Sequence, residues 1–293
     1  MEQITESVTK PWGSYKPDWR QKMISFVVKT GLSHGAVKGL LQRLWYLNGT
    51  QYPADIIYQG VKFRLHPWDN VKDGKLAFGS AVQDAMELNF LKKRLMKESV
   101  FIDIGANIGY YSCILASNGA GRIIAVEPHP FTRKRLAFNV HINNFDAIIQ
   151  IAPYALGEAN KEILLTEMVG NLGGSNIRSQ RDNAKKQFKV EMISLQELCR
   201  QYEITSIDAL KIDVEGVEDL VLIPFFKSAP PSSWPQCIVI EHAHQKDWKS
   251  DLLGYLEEKG YVVQKKNSSN SIFTIPAPGN KIPRDKLEKE RCR

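Results

Sequence analysis

Short apolar runs alternate with segments of helical period along most of this chain. Residues 100–104 (VFIDI), 122–126 (RIIAV), 147–152 (AIIQIA), 207–213 (IDALKID) and 237–242 (CIVIEH) have the length and apolar character of strands buried on both faces. Between them lie amphipathic stretches. One starts after Gly109, and a second carries Leu136 and Val140 on one face and stops at Asn143-Asn144. A third is capped by Ser194 with Glu197, and a fourth bears Val217, Leu220 and Val221 and stops near Pro224. The last carries Leu252 and Leu256 and ends at Gly260. YVVQKK and NSIFTIP read as a closing hairpin around residues 267–269. KEILLTE and KQFKVEM read as an inserted hairpin, residues 160–193, around the polar, glycine-rich loop GNLGGSNIRSQRDNAKK.

Ahead of this alternation the pattern changes. Residues 1–20 read as an irregular arm, and Met23 to Leu47 as two short basic amphipathic helices interrupted by Gly31, Gly35 and Gly39. IIYQGVKFRL reads as a small hairpin. Ser80 and Gln83 form a capping-box pattern ahead of a Leu88, Leu91, Leu95 stripe, which walls a ligand cleft. The expected fold is α/β: a Rossmann-like, doubly wound, mainly parallel sheet with one antiparallel edge strand and an N-terminal helical and hairpin extension. The expected divisions are 1–80, 81–276 and a charged tail, 277–293.

Composition narrows the class. With 293 residues, 43% hydrophobic and 24% charged, the chain is that of a globular protein with an ample core. Its four cysteines are far apart and make no metal-type pairs, so free thiols and a reducing, cytoplasmic setting are expected. The start lacks the layout of a signal peptide, and no apolar run is long enough to cross a membrane. Much of the net charge of +7 comes from dispersed lysines and the tail, and no nucleic-acid motif accompanies it, so no nucleic-acid partner is expected. The basic helices before Leu47 can rest on a membrane surface, though such segments more often pack on their own domain.

The candidate chemistry gathers at the strand tips, where open α/β sheets bind ligands. VFIDIGANIGYYS runs from a strand through a glycine turn into a helix. Gly105 and Gly109 let backbone approach a ligand, and the helix start offers free N–H groups. A dinucleotide fingerprint has its middle glycine, which admits a pyrophosphate, where this loop has Asn107. The loop therefore suits a nucleoside without a pyrophosphate, such as S-adenosylmethionine, over NAD. Glu127, eighteen residues beyond Gly109, is placed to accept hydrogen bonds from both ribose hydroxyls. Asp103, Asp213 with Glu215, and Glu241 with His242 end the other strands. Lys211 shares a face with Asp213 and needs an acid such as Glu215 or Glu241. For methyl transfer to a hydroxyl, His242 is the first candidate base and Asp213 the second. Alternatively Asp213, Glu215 and Glu241 hold a divalent cation, which the sequence does not require. His244 reads as a solvated neighbour, and His129 and His141 as loop and helix surface.

VFIDIGANIGYYS, VEPHP and IDALKIDVEGVE together resemble the FkbM family of S-adenosylmethionine-dependent methyltransferases, over roughly residues 60–275. The K-I-D-V-E-G-x-E block, Lys211 to Glu218, is the most specific part of the resemblance. The resemblance implies a seven-stranded class I fold and methylation of hydroxyls on sugars or natural-product scaffolds. It assigns Asp103, Gly105, Asn107, Gly109 and Glu127 to the cofactor, and Asp213 and Glu215 to the methionine end and the acceptor. Ala155 falls on the adenine side, preceded by Tyr154 where relatives often carry a smaller or polar residue. The acceptor expected is a small molecule or glycan, anionic if the basic stretch from Arg178 to Lys189 contacts it. N-methylation of an amine or amide is the nearest alternative, and a cofactor-binding module without turnover is the alternative of another class.

Overall fold

The computed structural model describes residues 7–30, 35–46, 53–79, 84–166 and 186–276. The Ser80–Gln83 capping pattern, most of the 170–186 loop and the tail from 277 lie outside the described residues. In chain order come α1 (Trp19–Lys29), α2 (Gly35–Tyr46), β1 (Ala54–Tyr58), β2 (Val61–Leu65), α3 (Val71–Ala77) and α4 (Ala85–Arg94). Then follow β3 (Val100–Ile104), α5 (Tyr110–Ser117), β4 (Arg122–Val126), α6 (Pro130–Ile142), β5 (Ile149–Ala152), β6 (Ala155–Leu156), β7 (Lys161–Thr166) and β8 (Gln187–Ile193). The chain continues through α7 (Leu195–Gln201), β9 (Ala209–Ile212), α8 (Glu218–Ser228), β10 (Cys237–Glu241), α9 (Leu252–Glu258), β11 (Val262–Lys266) and β12 (Asn270–Thr274).

Seven strands form the main sheet in the order β11-β12-β10-β9-β3-β4-β5. β3 pairs in parallel with β4 on one side and β9 on the other. Strand order therefore reverses at β3, and the cleft beyond β3 and β9 is the place where this fold takes ligands. β12 runs antiparallel to both β10 and β11, placing the antiparallel strand at that margin of the sheet. The inserted β7–β8 hairpin forms its own small sheet with β6, the short strand that follows β5.

Strand alternation divides the core in two. Phe101, Ile123, Ala125, Ala209 and Val239 face α4, α5 and the β1–β2 hairpin. Ile102, Ile104, Ile124, Leu210, Ile212, Ile238 and Ile240 face α7, α8 and α9. The first core also includes Val28, Trp45, Phe63, Leu65, Leu76 and Phe78, so the N-terminal elements share the apolar interior of the sheet. One expected boundary moves: α8 runs through Pro224 to Ser228. A proline within a helix costs roughly 3 kcal/mol. Phe225 and Phe226 follow it and are buried against the second core, offsetting that at roughly 1.5–3 kcal/mol each.

Candidate active site

The turn after β3 is dictated by its own backbone. Gly105, Asn107 and Gly109 have φ of +75°, +53° and +87°. A Cβ on Gly105 would sit 2.0 Å from the Asp213 carbonyl oxygen, and one on Gly109 would sit 2.5 Å from Leu136 Cδ1. The two glycines are thus required by chain conformation and by protein packing, whereas the sequence suggested only ligand approach. The amides of Gly105 and Ala106 both donate to Val126 O at 3.0 Å, tying the loop to β4. Glu127 closes it from outside. Its Oε2 accepts from the Asn107 amide and its Oε1 from the His129 amide, both at 2.9 Å. Burial pushes this carboxyl up to about 7, against the pull of those two N–H groups. Both oxygens expected to meet ribose hydroxyls are therefore already bonded to backbone, each with one lone pair left.

Parallel register sets Lys211 of β9 directly beside Asp103 of β3. Lys211 Nζ lies 3.8 Å from Asp103 Oδ1, and it donates to the Gly105 carbonyl and to Asp213 Oδ2, both at 3.3 Å. The expected partners, Glu215 and Glu241, are not the ones found. The in-register strand neighbour and the same-face residue two positions on lie closer than any later strand end. Asp103 is fully buried and receives the Ser112 hydroxyl at 2.7 Å; burial raises its pKa, with Lys211 and Ser112 opposing. A second ammonium arrives from the N-terminal region: Lys72 Nζ is 2.8 Å from Asp213 Oδ2. Burial favours protonation of Asp213, but the two lysines outweigh it and hold the carboxyl below the ordinary carboxylate range.

A cavity of about 240 Å³ opens here, lined by Lys72, Asp84, Tyr111, Lys211, Asp213, Glu241 and the turn 267–270. Glu241 Oε2 is buried with no hydrogen-bond partner. Burial, reinforced by Asp213 and Glu215, pushes its carboxyl up to about 8. His242, the first candidate base, does not line this cavity and is only 6% exposed. Its amide donates to Ser269 O at 2.7 Å, and burial followed by Lys266 lowers its pKa. Alternation explains the exchange, since Cys237, Val239 and Glu241 share the face that Lys211 occupies and His242 has the opposite parity. Glu215, with φ +58°, turns to His244, 3.1 Å away, so that solvent-exposed histidine is also an ion-pair partner.

Asp213 and Glu241 of the alternative cation site share this cavity, but the three acids do not form a ligand set. Asp213 is engaged by two ammoniums and Glu215 by His244, and among the described residues no group of three or more His, Cys, Asp or Glu side chains is arranged to hold a metal. Ala155 is buried under the β7–β8 hairpin beside Leu165, Val190 and Met192. His129, read as surface, is buried and caps α6 through Thr132. Of the basic stretch, Lys189 lies on β8 and pairs with Glu162 at 2.9 Å, while residues 178–185 lie outside the described residues. Sequence reasoning missed Lys72 and Asp84, and read the turn at 267–270 as a hairpin without placing it at the cavity. Tyr111 had a local signal in its place on the first turn after the glycine loop.

Residues 103–263 match the family model "Methyltransferase FkbM domain", more than half of the chain. A tRNA(Phe) (4-demethylwyosine(37)-C(7)) aminocarboxypropyltransferase from Pyrococcus horikoshii is 28% identical over 121 residues, 41% of this chain and 41% of that protein. The chain thus matches about two-fifths of the length of that curated relative. Among solved structures, an rRNA methylase from Streptococcus thermophilus is similar with a TM-score of 0.41 and 9% identity, over 67% of this chain and 98% of that one. TrmK from M. capricolum, in complex with S-adenosylhomocysteine, has a TM-score of 0.40 and 14% identity, over 70% and 74% of the two chains. Likenesses at such scores say nothing about substrate. The family match covers the glycine loop, Glu127, the Lys211–Glu218 block and Glu241 alike, and the chain belongs to the FkbM-domain methyltransferases.

Proposed function

We propose that this chain transfers the methyl group of S-adenosylmethionine to a hydroxyl of a saccharide, glycolipid or natural-product scaffold. The observation that carries this reading is the convergence of Lys72, Lys211, Asp213 and Glu241 on one cavity beside the glycine loop. The residues suit the cofactor: carboxylates for an α-ammonium, ammoniums for a carboxylate, and one lining acid, Glu241, with an unpartnered oxygen. When bound, the cofactor supplies an electrophilic methyl for in-line displacement.

The protein's own part is positioning and proton removal. Asp213 is clamped by two lysines, and a carboxylate so stabilised is a weak base. It orients the methionine end. Glu241, pushed up to about 8, is matched to taking a hydroxyl proton near neutral pH. Holding the acceptor in line can supply roughly 7–11 kcal/mol of the barrier, and the base a further 10²–10⁴-fold or so. Lys72, exposed at the rim, gives the cavity one cation for an anionic acceptor.

The test is incubation of purified protein with isotopically labelled S-adenosylmethionine and, separately, extracted glycans, glycolipids and total RNA, read by mass spectrometry. Label in the saccharide-containing fractions is expected. Label in RNA alone overturns the acceptor class, and cofactor binding by calorimetry without label in any fraction favours a binding module.

A further inference from the structure

Among the described residues, the two helices before β1 each leave an apolar stripe exposed. α1 buries Val28, partly buries Ile24, and is fastened to the end of α3 by the Ser25 hydroxyl donating to Ala77 O at 3.1 Å. Its opposite side carries Trp19, Met23 and Phe26, which are 66%, 60% and 69% exposed. Their i, i+4, i+7 spacing makes a single stripe. α2 repeats the arrangement, with Trp45 buried and Val37, Leu40 and Leu44 exposed at i, i+3, i+7. Scattered exposed apolar residues need no explanation, but two matched stripes on adjacent helices do.

Charge selects what covers them. Residues 19–46 contain Arg20, Lys22, Lys29, Lys38 and Arg43 and no Asp or Glu, so five of the chain's seven net positive charges fall on this stretch. On α1, helical geometry puts Lys22 and Lys29 along one border of the stripe and Arg20 along the other, its guanidinium 5.4 Å from the Trp19 ring centre. Apolar side chains with tryptophan at one end and cations along both borders match a helix seated at the boundary of acyl chains and anionic headgroups. A second copy of this chain would bring the same positive charge against itself.

We infer that α1 and α2 form a docking surface for an anionic lipid bilayer. Seated there, the chain holds its cavity near the membrane, because α3 joins the docking helices at one end and delivers Lys72 to Asp213 at the other. The inference does not depend on the methyl acceptor, since it is read on the protein alone.

Flotation of the full chain with phosphatidylcholine vesicles, with and without phosphatidylglycerol, tests it. Binding is expected on the anionic vesicles at low salt, falling as salt rises, with little on phosphatidylcholine alone. Arg20→Glu and Lys22→Glu are each expected to cut partitioning roughly fivefold or more. Phe26→Ser with Leu40→Ser is expected to abolish it, with unchanged circular dichroism and unchanged S-adenosylmethionine affinity by calorimetry. Absence of binding at low salt overturns the inference, as does equal binding to neutral vesicles. Conversion of a dimer to a monomer by the serine pair, without flotation of the parent chain, also overturns it by making a second copy the occupant.

Discussion

Glu241 ends β10 with one carboxylate oxygen buried and unpartnered, an expensive arrangement in a protein interior. Its raised pKa ties turnover to pH with a definite sign. A base acts deprotonated, so the rate should rise as pH passes through about 8. Glu241→Gln should lower kcat by roughly 10²–10⁴-fold, leave cofactor affinity within a few-fold, and erase that rising limb. Asp213 behaves oppositely. Its pKa is lowered in the folded state by Lys211 and Lys72, so its stabilisation is present above the ordinary carboxylate range and disappears as pH falls through the depressed value. Asp213→Asn leaves Lys211 short of its partner in a buried strand. The variant should lose about 3 kcal/mol by denaturant titration, the lower end for a broken buried pair because Asp213 keeps some solvent contact.

At the scale of elements, the turn from β2 into α3 is what joins the N-terminal region to the glycine loop. Asn70 caps α3 by accepting from the Lys72 and Asp73 amides, and its own amide donates to Asn107 Oδ1 at 2.9 Å. Two residues beyond that cap, Lys72 meets Asp213. Asn70→Ala should cost about 1 kcal/mol of stability and also weaken S-adenosylmethionine binding, measured by calorimetry. Asn70→Ser keeps a capping oxygen and should recover most of the stability but not the bond to Asn107.

Across the whole molecule, Arg64 holds the arm to the sheet. Only 1% exposed, it makes a bidentate pair with Asp55 at 2.7 and 2.8 Å and donates to the carbonyls of Ser7, Lys10 and Pro11. Its guanidinium lies between the rings of Tyr15 and Phe138, 4.8 and 4.3 Å from their centres. Arg64→Met leaves the buried Asp55 carboxylate with only the Gly13 and Tyr15 amides and no counter-charge, and should cost about 3–5 kcal/mol by denaturant unfolding. Arg64→Lys should rescue little, because an ammonium is a point charge without the planar fork these partners require.

Much of this was legible in the residues themselves. Strand tips, helix faces and the hairpins at residues 58–61 and 267–270 follow from dihedral preference and hydrophobic period, which act over a few residues. Glycines at 105 and 109 and the acids at 103, 127 and 213 were equally readable, since a tight turn and a strand end leave local marks. The burial of His242, the raised proton affinity of Glu241 and the arrival of Lys72 at Asp213 were decided only by the folded chain. Lys72 and Asp213 are 141 positions apart. Desolvation, likewise, depends on what distant segments cover a group, and neither leaves a pattern within any window of sequence.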